Sequence, residues 1–213
     1  MKWLFDNARQ GLLVSLVMFI LCGMVYPSVI TAFSQSFFPY QANGSLIEID
    51  GKNVGSKKLG QEFTRPEYFW GRVSSINYNV YTNEDLLPEQ NGAQIYNGVS
   101  SGTFNYGPSN PELKKRIETD IEKFLKANPT VKREEIPADL ITASGSGLDP
   151  HISLKAAFIQ IDRIEKASGI SVVELKKIVK KNTENRVLGV FGEDKVNVLA
   201  ANLDIYNKII KQR

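Results

Sequence analysis

Cysteine and histidine are nearly absent. Among 213 residues, Cys22 and His151 are the single representatives of each. One cysteine excludes a disulfide framework, and one histidine leaves no ligand set from which a zinc site could be built within one copy. Also missing is the string G-x-x-x-x-G-K-[ST], in which backbone amides and a lysine cradle phosphates. The nucleophile elbow G-x-S-x-G is missing too, its nearest approach being Ser144-Gly145-Ser146-Gly147 at the wrong spacing. Charge of one sign is not concentrated anywhere. The 26 basic and 23 acidic residues are interspersed and sum to +3, which argues against a phosphate backbone as partner. Neither an internal repeat nor a low-complexity tract interrupts the chain.

The most informative absence is local. From Gln10 through Ile47 there is no Asp, Glu, Lys or Arg, while the rest of the chain carries nearly all the charge. Within that interval residues 11–33 would span about 34 Å as a helix, enough to cross a bilayer. A cleaved signal peptide is expected to have an apolar region of about 7–15 residues before a small-residue site, and this stretch shows neither. The segment therefore reads as an uncleaved transmembrane anchor. Leu21 before Cys22 does not fit lipoprotein processing, so Cys22 serves as a small hydrophobe. Pro27 removes a backbone donor late in the span and is expected to kink it. Lys2 and Arg9 before the span place residues 1–10 in the cytoplasm by the positive-inside rule, which puts the remainder outside. Phe37, Phe38 and Tyr40 mark residues 34–47 as a collar at the lipid interface, and an extracytoplasmic domain is expected over residues 48–213.

Leu46 to Asp50 alternates as a strand does and stops at Asp50-Gly51, a turn. Residues 74–111, crowded with Asn, Gly, Ser, Tyr and Pro, predict a long irregular excursion. Beyond it the pattern turns helical. Ser109-x-x-Glu112 reads as a capping box for a helix whose apolar face is Leu113, Ile117, Ile121, Phe124 and Leu125 and which Asn128-Pro129 ends. Ser153 caps a second helix, with Ala157, Ile161 and Ile164 buried and Gly169 as its stop. Ser171-x-x-Glu174 starts a third, whose Lys176, Lys177, Lys180 and Lys181 form a solvated basic face. Val196 to Leu199 reads as a strand, and Leu203, Tyr206 and Ile210 as the face of a closing helix. The fold class is α+β with few strands and several helices, plus one N-terminal transmembrane helix.

Two constellations carry whatever chemistry there is. In residues 140–153, LITASGSGLDPHIS, the exposed amides of small residues could form an anion-binding nest ahead of a helix. The nearest bases in sequence, Lys155 and Arg133, offer a triphosphate no clamp. Ser146, Asp149 and His151 lie close together, but triad members come from separate elements, so a turn held by Asp149 and introducing the next helix is preferred. Gly145 and Gly147 then supply left-handed backbone angles, and His151 packs as a neutral ring. Tyr68-Phe69-Trp70-Gly71-Arg72 is either an interface anchor or a core corner with Arg72 paired locally, the latter preferred.

Taken in order, these strings resemble the C-subunit family of the Kdp potassium-transporting P-type ATPases. The likeness runs through the N-terminal span near Tyr26-Pro27, Gly60-Gln61, Tyr68-Phe69-Trp70-Gly71-Arg72, Tyr78-Asn79 and Gly107-Pro108-Ser109-Asn110-Pro111. It continues through Thr142-Ala143-Ser144-Gly145-Ser146-Gly147-Leu148-Asp149-Pro150-His151-Ile152-Ser153, Gln160 with Arg163, and Val196-Asn197-Val198-Leu199 with Asn202. Two departures are local. Thr103-Phe104-Asn105-Tyr106 replaces the family's usual Gly-Ser-Asn-Leu, and Leu154 stands where Pro is common.

The resemblance implies a non-catalytic subunit without intrinsic cofactor. It would stabilise a complex of a potassium-binding channel-like subunit, a P-type ATPase subunit and a small single-span subunit in the cell membrane, in contact with lipid. The phosphorylated D-K-T-G-T motif of such pumps is missing here, so hydrolysis belongs to another chain. The family description also implies a catalytic chaperone that raises the pump's ATP affinity, with Ser144, Gly145, Ser146, Gly147 and Gln160 as nucleotide candidates. ATP is cytoplasmic whereas the charge pattern puts these residues outside, and the topological reading is given precedence. Tyr68, Phe69, Trp70, Gly71, Arg72, Asn110, Asp149 and His151 are the structural and interface candidates. A membrane-anchored extracytoplasmic serine hydrolase using Ser146 and His151, and a free-standing adhesion or binding module, are the alternatives.

Overall fold

The computed structural model describes residues 2–81 and 98–212. Part of the irregular excursion expected over residues 74–111 thus lies outside the described residues. The chain divides into two compact units, Met1–Ser56 and Lys57–Arg213.

In the first unit α1 (Lys2–Ile20) passes through a π-turn (Leu21–Val25) into α2 (Tyr26–Phe37). The apolar stretch Asn7–Phe37 is long enough to cross a membrane. The π-turn has a local cause. Pro27 lacks an N–H and its ring crowds the preceding turn, and just before it the ladder widens so that Tyr26 N–H reaches the Leu21 carbonyl. A short α3 (Pro39–Ala42) leads to β1 (Leu46–Ile49) and β2 (Lys52–Ser56). These pair antiparallel across a two-residue loop, Asp50-Gly51, with φ of 50° and 75°. Two left-handed residues match the twist of the flanking strands, which is why Asp-Gly closes this hairpin.

The second unit packs α4 (Pro111–Ala127), α5 (Leu154–Phe158), α6 (Ile161–Ser168), α7 (Val172–Lys181) and α8 (Val198–Gln212) around a small sheet. The sheet is antiparallel in the order β3 (His151–Ser153), β5 (Lys195–Asn197), β4 (Thr183–Glu184). Phe69, Phe124, Ile152, Ile164, Leu175, Val179, Val196 and Ile205 fill its core.

Several boundaries differ from the sequence expectation. The cap of α4 is Asn110, whose side chain accepts from Glu112 N–H at 2.9 Å, with Pro111 in the first helical position; Ser109 lies one residue too early. The helix expected from Ser153 to Gly169 breaks into α5 and α6. At the break Gln160 N–H bonds the Ala157 carbonyl, and the freed Ala156 carbonyl accepts from the Gln160 side chain instead. The strand expected at Val196 to Leu199 ends at Asn197, whose side-chain oxygen accepts from Ala200 N–H and starts α8. Along α8 the buried positions include Ala201, Asn202 and Ile205, not Tyr206 and Ile210, which are exposed. Ser153, Ser171 and Gly169 cap as expected.

Candidate functional site

The segment through residue 70 is held by three buried polar side chains, those of Asn202, Gln160 and Arg163. Asn202 on α8 accepts from Phe69 N–H at 2.7 Å and donates to its carbonyl at 2.9 Å, a two-bond match to an extended backbone. Gln160 does the same at the next residue, accepting from Trp70 N–H at 2.8 Å and donating to Trp70 O at 3.2 Å. Its second amide hydrogen goes to Ala156 O, and its oxygen also accepts from Arg163 at 2.6 Å. Both hydrogens and both lone pairs of Gln160 are thereby used inside the fold. Arg163 donates to Asn128 Oδ1 at 3.0 Å, to Pro66 O at 2.5 Å and to Tyr68 O at 2.9 Å, and lies 4.5 Å from the Trp70 ring centroid. Burial lowers its pKa to about 10, so it stays charged at neutral pH. A guanidinium removed from water is tolerated here because carbonyls and an aromatic face replace the solvent.

Phe69 is fully buried and Tyr68 and Trp70 pack against the same core, so the aromatic motif forms a core corner. Arg72 is not paired locally. It donates to Asp149, 77 residues on, at 2.9 Å, and so ties the aromatic motif to the Ser/Gly loop. Gly71 and Gly60 both lie against Tyr78, whose hydroxyl donates to Arg72 O at 2.6 Å. A Cβ at Gly60 would stand 2.6 Å from the Tyr78 ring and 2.7 Å from Asp149 O, which leaves no residue but glycine at this crossing. Burial pushes the Tyr78 phenol up to about 12.

The loop itself is tied down on every side. Ser144 is buried and its N–H bonds Val73 O at 3.1 Å; Gly147 N–H turns back to Ser144 O, and Leu148 N–H donates to Ser146 Oγ at 3.1 Å. Carbonyls of the loop accept from Ser74 Oγ, Ser101 Oγ, Gly102 N–H and Gly60 N–H. Gly147 has φ +70°, whereas Gly145 is not in the left-handed region, so only one of the two expected glycines is needed for its backbone angle. The exposed Ser146 hydroxyl bonds within its own turn and not to His151. Asp149 accepts from His151 N–H at 3.0 Å, and the His151 ring lies 3.4 Å from both Asp149 and Glu184. Partial burial raises the Asp149 carboxyl, but hydrogen bonds from His151 and Arg72 outweigh it and leave the pKa at about 2. One expectation about charge is corrected: Lys58 lines the same surface depression, about 460 Å³, as Ser144, Gly145 and Ser146, so a base does stand beside the loop. Sequence proximity could not reveal it. The motif pair Gly60-Gln61 next to Lys58 was the available signal.

Among the described residues no group of three or more His, Cys, Asp or Glu could hold a metal ion. Asn110 caps α4 and takes no other part in this cluster.

Comparison with known proteins matches the chain over almost its full length. A 209-residue match to the Potassium-transporting ATPase KdpC subunit of Clostridium kluyveri is 50% identical and covers 98% of this chain and 97% of that protein. The protein of the same name from Clostridioides difficile is 59% identical over 92% of this chain and 95% of its own length. That of Caldanaerobacter subterraneus subsp. tengcongensis is 46% identical over 98% of each. With the model of the family KdpC, described as K+-transporting ATPase, c chain, matching residues 8–207, the chain belongs to that family.

Proposed function

We propose that the chain is a non-catalytic accessory subunit of an ATP-driven potassium uptake complex. Its apolar helix anchors it in the cell membrane with the N-terminus in the cytoplasm and the domain from Glu48 onward outside. Its partners are a potassium-binding channel-like subunit, a P-type ATPase subunit and a small single-span subunit. Likeness over nearly the whole chain to proteins named as subunits of a potassium-transporting ATPase carries this reading. The inward use of polar groups supports it. Gln160, Asn202 and Arg163 spend their hydrogen bonds on the chain's own backbone and on one another's side chains and that of Asn128, as expected of a scaffold whose task is to keep a shape.

One observation favours a second reading. Lys58 beside Ser144, Gly145 and Ser146 supplies a cation that a nucleotide phosphate would require, and a chaperone role in ATP binding would use this depression. The first reading is preferred because three amides of the loop, those of Ser144, Gly147 and Leu148, already have acceptors within the fold. Purification of the tagged full chain in mild detergent tests the proposal. Co-elution of ATPase subunits, identified by mass, is the expected result, and a chain that elutes alone contradicts it.

A further inference from the structure

Helix α7 carries a stripe that the core does not use. Val173, Lys176, Lys177 and Lys180 follow the i, i+3, i+4, i+7 spacing of one helical face and are exposed, while Leu175, Ile178 and Val179 turn inward and are buried. Beside this stripe, where α5 and the first turn of α6 meet α7, lies a surface depression of about 650 Å³ whose apolar wall includes Phe158 and Val172. Phe158 is 39% and Val173 64% exposed, so an aromatic ring and a branched aliphatic side chain stand in water among lysines. Neither adds to the packing of the core.

The charges on this face do not cancel. Lys177 donates to Glu174 at 2.7 Å, a carboxylate it shares with Lys208, and Lys181 donates to Asp204 at 2.7 Å. Lys176 and Lys180 have no carboxylate partner among the described residues. The depression is lined by three lysines and, among the described residues, by one carboxylate, that of Asp162. An excess of positive charge therefore flanks exposed apolar surface, the composition of an element that lies on an anionic interface.

We propose that this face of α7 docks on the anionic phospholipid surface of the membrane that holds the chain's own anchor, with Lys176 and Lys180 on the phosphates and Phe158 and Val173 pressed between headgroups. This goes beyond the accessory-subunit reading and rests only on the apolar helix as an anchor. Composition favours lipid over a protein partner. The cations are all lysine, on flexible stems that follow mobile phosphates, and the depression lacks the Arg, Tyr and Trp on which protein contacts depend. A second copy fits poorly, because the same face brought against itself sets lysines against lysines. The bilayer is also within reach. Residues 38–56 are all the chain between the apolar helix and the domain, at most about 65 Å if fully extended, so the tether keeps the effective concentration of lipid high. The contact reaches only headgroup depth and is reversible, so position 176 stays open to reagents in water.

The test uses the full chain carrying Cys22→Ser and a fluorophore on Val173→Cys, reconstituted in vesicles of phosphatidylcholine alone or mixed with phosphatidylglycerol. Lipids brominated near the headgroup quench the fluorophore only on contact. Quenching should be at least about threefold greater in the anionic vesicles and should weaken in high salt. Lys176→Glu combined with Lys180→Glu should abolish that difference, and Lys176→Arg combined with Lys180→Arg should keep it. The thermal midpoint should hold in both, since the side chains are exposed. A fluorophore on Glu122→Cys, exposed on α4, should show no difference between the vesicles. Equal quenching at 173 in both vesicle types overturns the proposal, as does a difference that survives charge reversal or appears equally at 122. Energy transfer between labelled copies in place of lipid quenching assigns the face to a second copy. Loss of quenching when co-purifying subunits are added assigns it to a protein, and either result overturns the proposal.

Discussion

Replacing Gly147 by valine tests whether the Ser/Gly loop is a structural joint. A side chain there meets two obstacles. The residue sits at φ +70°, where a β-carbon is strained by about 1–2 kcal/mol, more for a β-branched residue. The Cβ would also stand 2.6 Å from Ile76 Cγ1 and 2.9 Å from Gly102 O, so a side chain and a backbone segment must both move. Overpacking of this kind costs about 1–3 kcal/mol. Together they give about 2–5 kcal/mol, and for a domain of this size a melting point lower by about 4–20 °C. Gly145→Ala is the internal control. It lies two residues away, outside the left-handed region, with nothing within 4 Å of the added carbon, and should cost less than about 0.5 kcal/mol. Thermal unfolding of the full chain in mild detergent, followed by the fluorescence of Trp70 against the core, gives both numbers. Equal melting points for wild type and Gly147→Val, or equal losses for the two variants, would refute the reasoning.

Gln160→Leu keeps the volume but leaves Trp70 N–H, Trp70 O and Ala156 O without their partner, so unfolding free energy should fall by about 3–5 kcal/mol. A loss below about 1 kcal/mol in denaturant titration would show that these groups find other partners. The Asp149 carboxyl, at about 2 in the folded chain against an ordinary 3.8, binds fewer protons folded than unfolded. Its contribution is therefore complete above about pH 4 and is lost as pH falls through about 2. Asp149→Asn should lower neutral-pH stability by on the order of 1–2 kcal/mol after solvent screening and flatten the acid limb of the stability curve; an unchanged limb contradicts the assignment. For topology, cysteines placed singly at Lys58 and Lys176 should react with a membrane-impermeant thiol reagent in intact cells, after permeabilisation of any outer membrane. Reaction only after lysis reverses the orientation.

What was legible in the sequence is what short-range chemistry writes there. The Asp50-Gly51 turn, the caps at Ser153 and Ser171, and the Gly169 stop each depend on a few adjacent residues. The uncharged stretch announced the long helix Asn7–Phe37 in the same way. The misread caps are instructive. Asn110 before Pro111 carried a stronger start signal than Ser109, and Asn197 ended a strand that its alternating neighbours seemed to extend. The break at Gln160 was illegible because a side chain replaces a backbone donor there, which periodicity does not record. Likewise Arg72 with Asp149, and Lys58 beside Ser144, are joined only by the tertiary fold. The order of the motifs carried the family. Their contacts explain why the motifs have those residues: Gly60, Gly71 and Tyr78 cross at one point, and Gln160 and Asn202 grip neighbouring peptides.

The central claim is that the Ser/Gly loop and the Gln160 clamp give the subunit its shape and do not handle nucleotide. Potassium-stimulated ATP hydrolysis by the purified complex, measured across ATP concentrations, tests it most directly when wild type is compared with Ser146→Ala. The hydroxyl of Ser146 is exposed and, among the described residues, accepts from Leu148 N–H within its own turn, so its removal should leave assembly, turnover and the apparent ATP constant unchanged within about twofold. A normally assembled Ser146→Ala complex whose apparent ATP constant rises severalfold would contradict the account and place ATP in the depression beside Lys58.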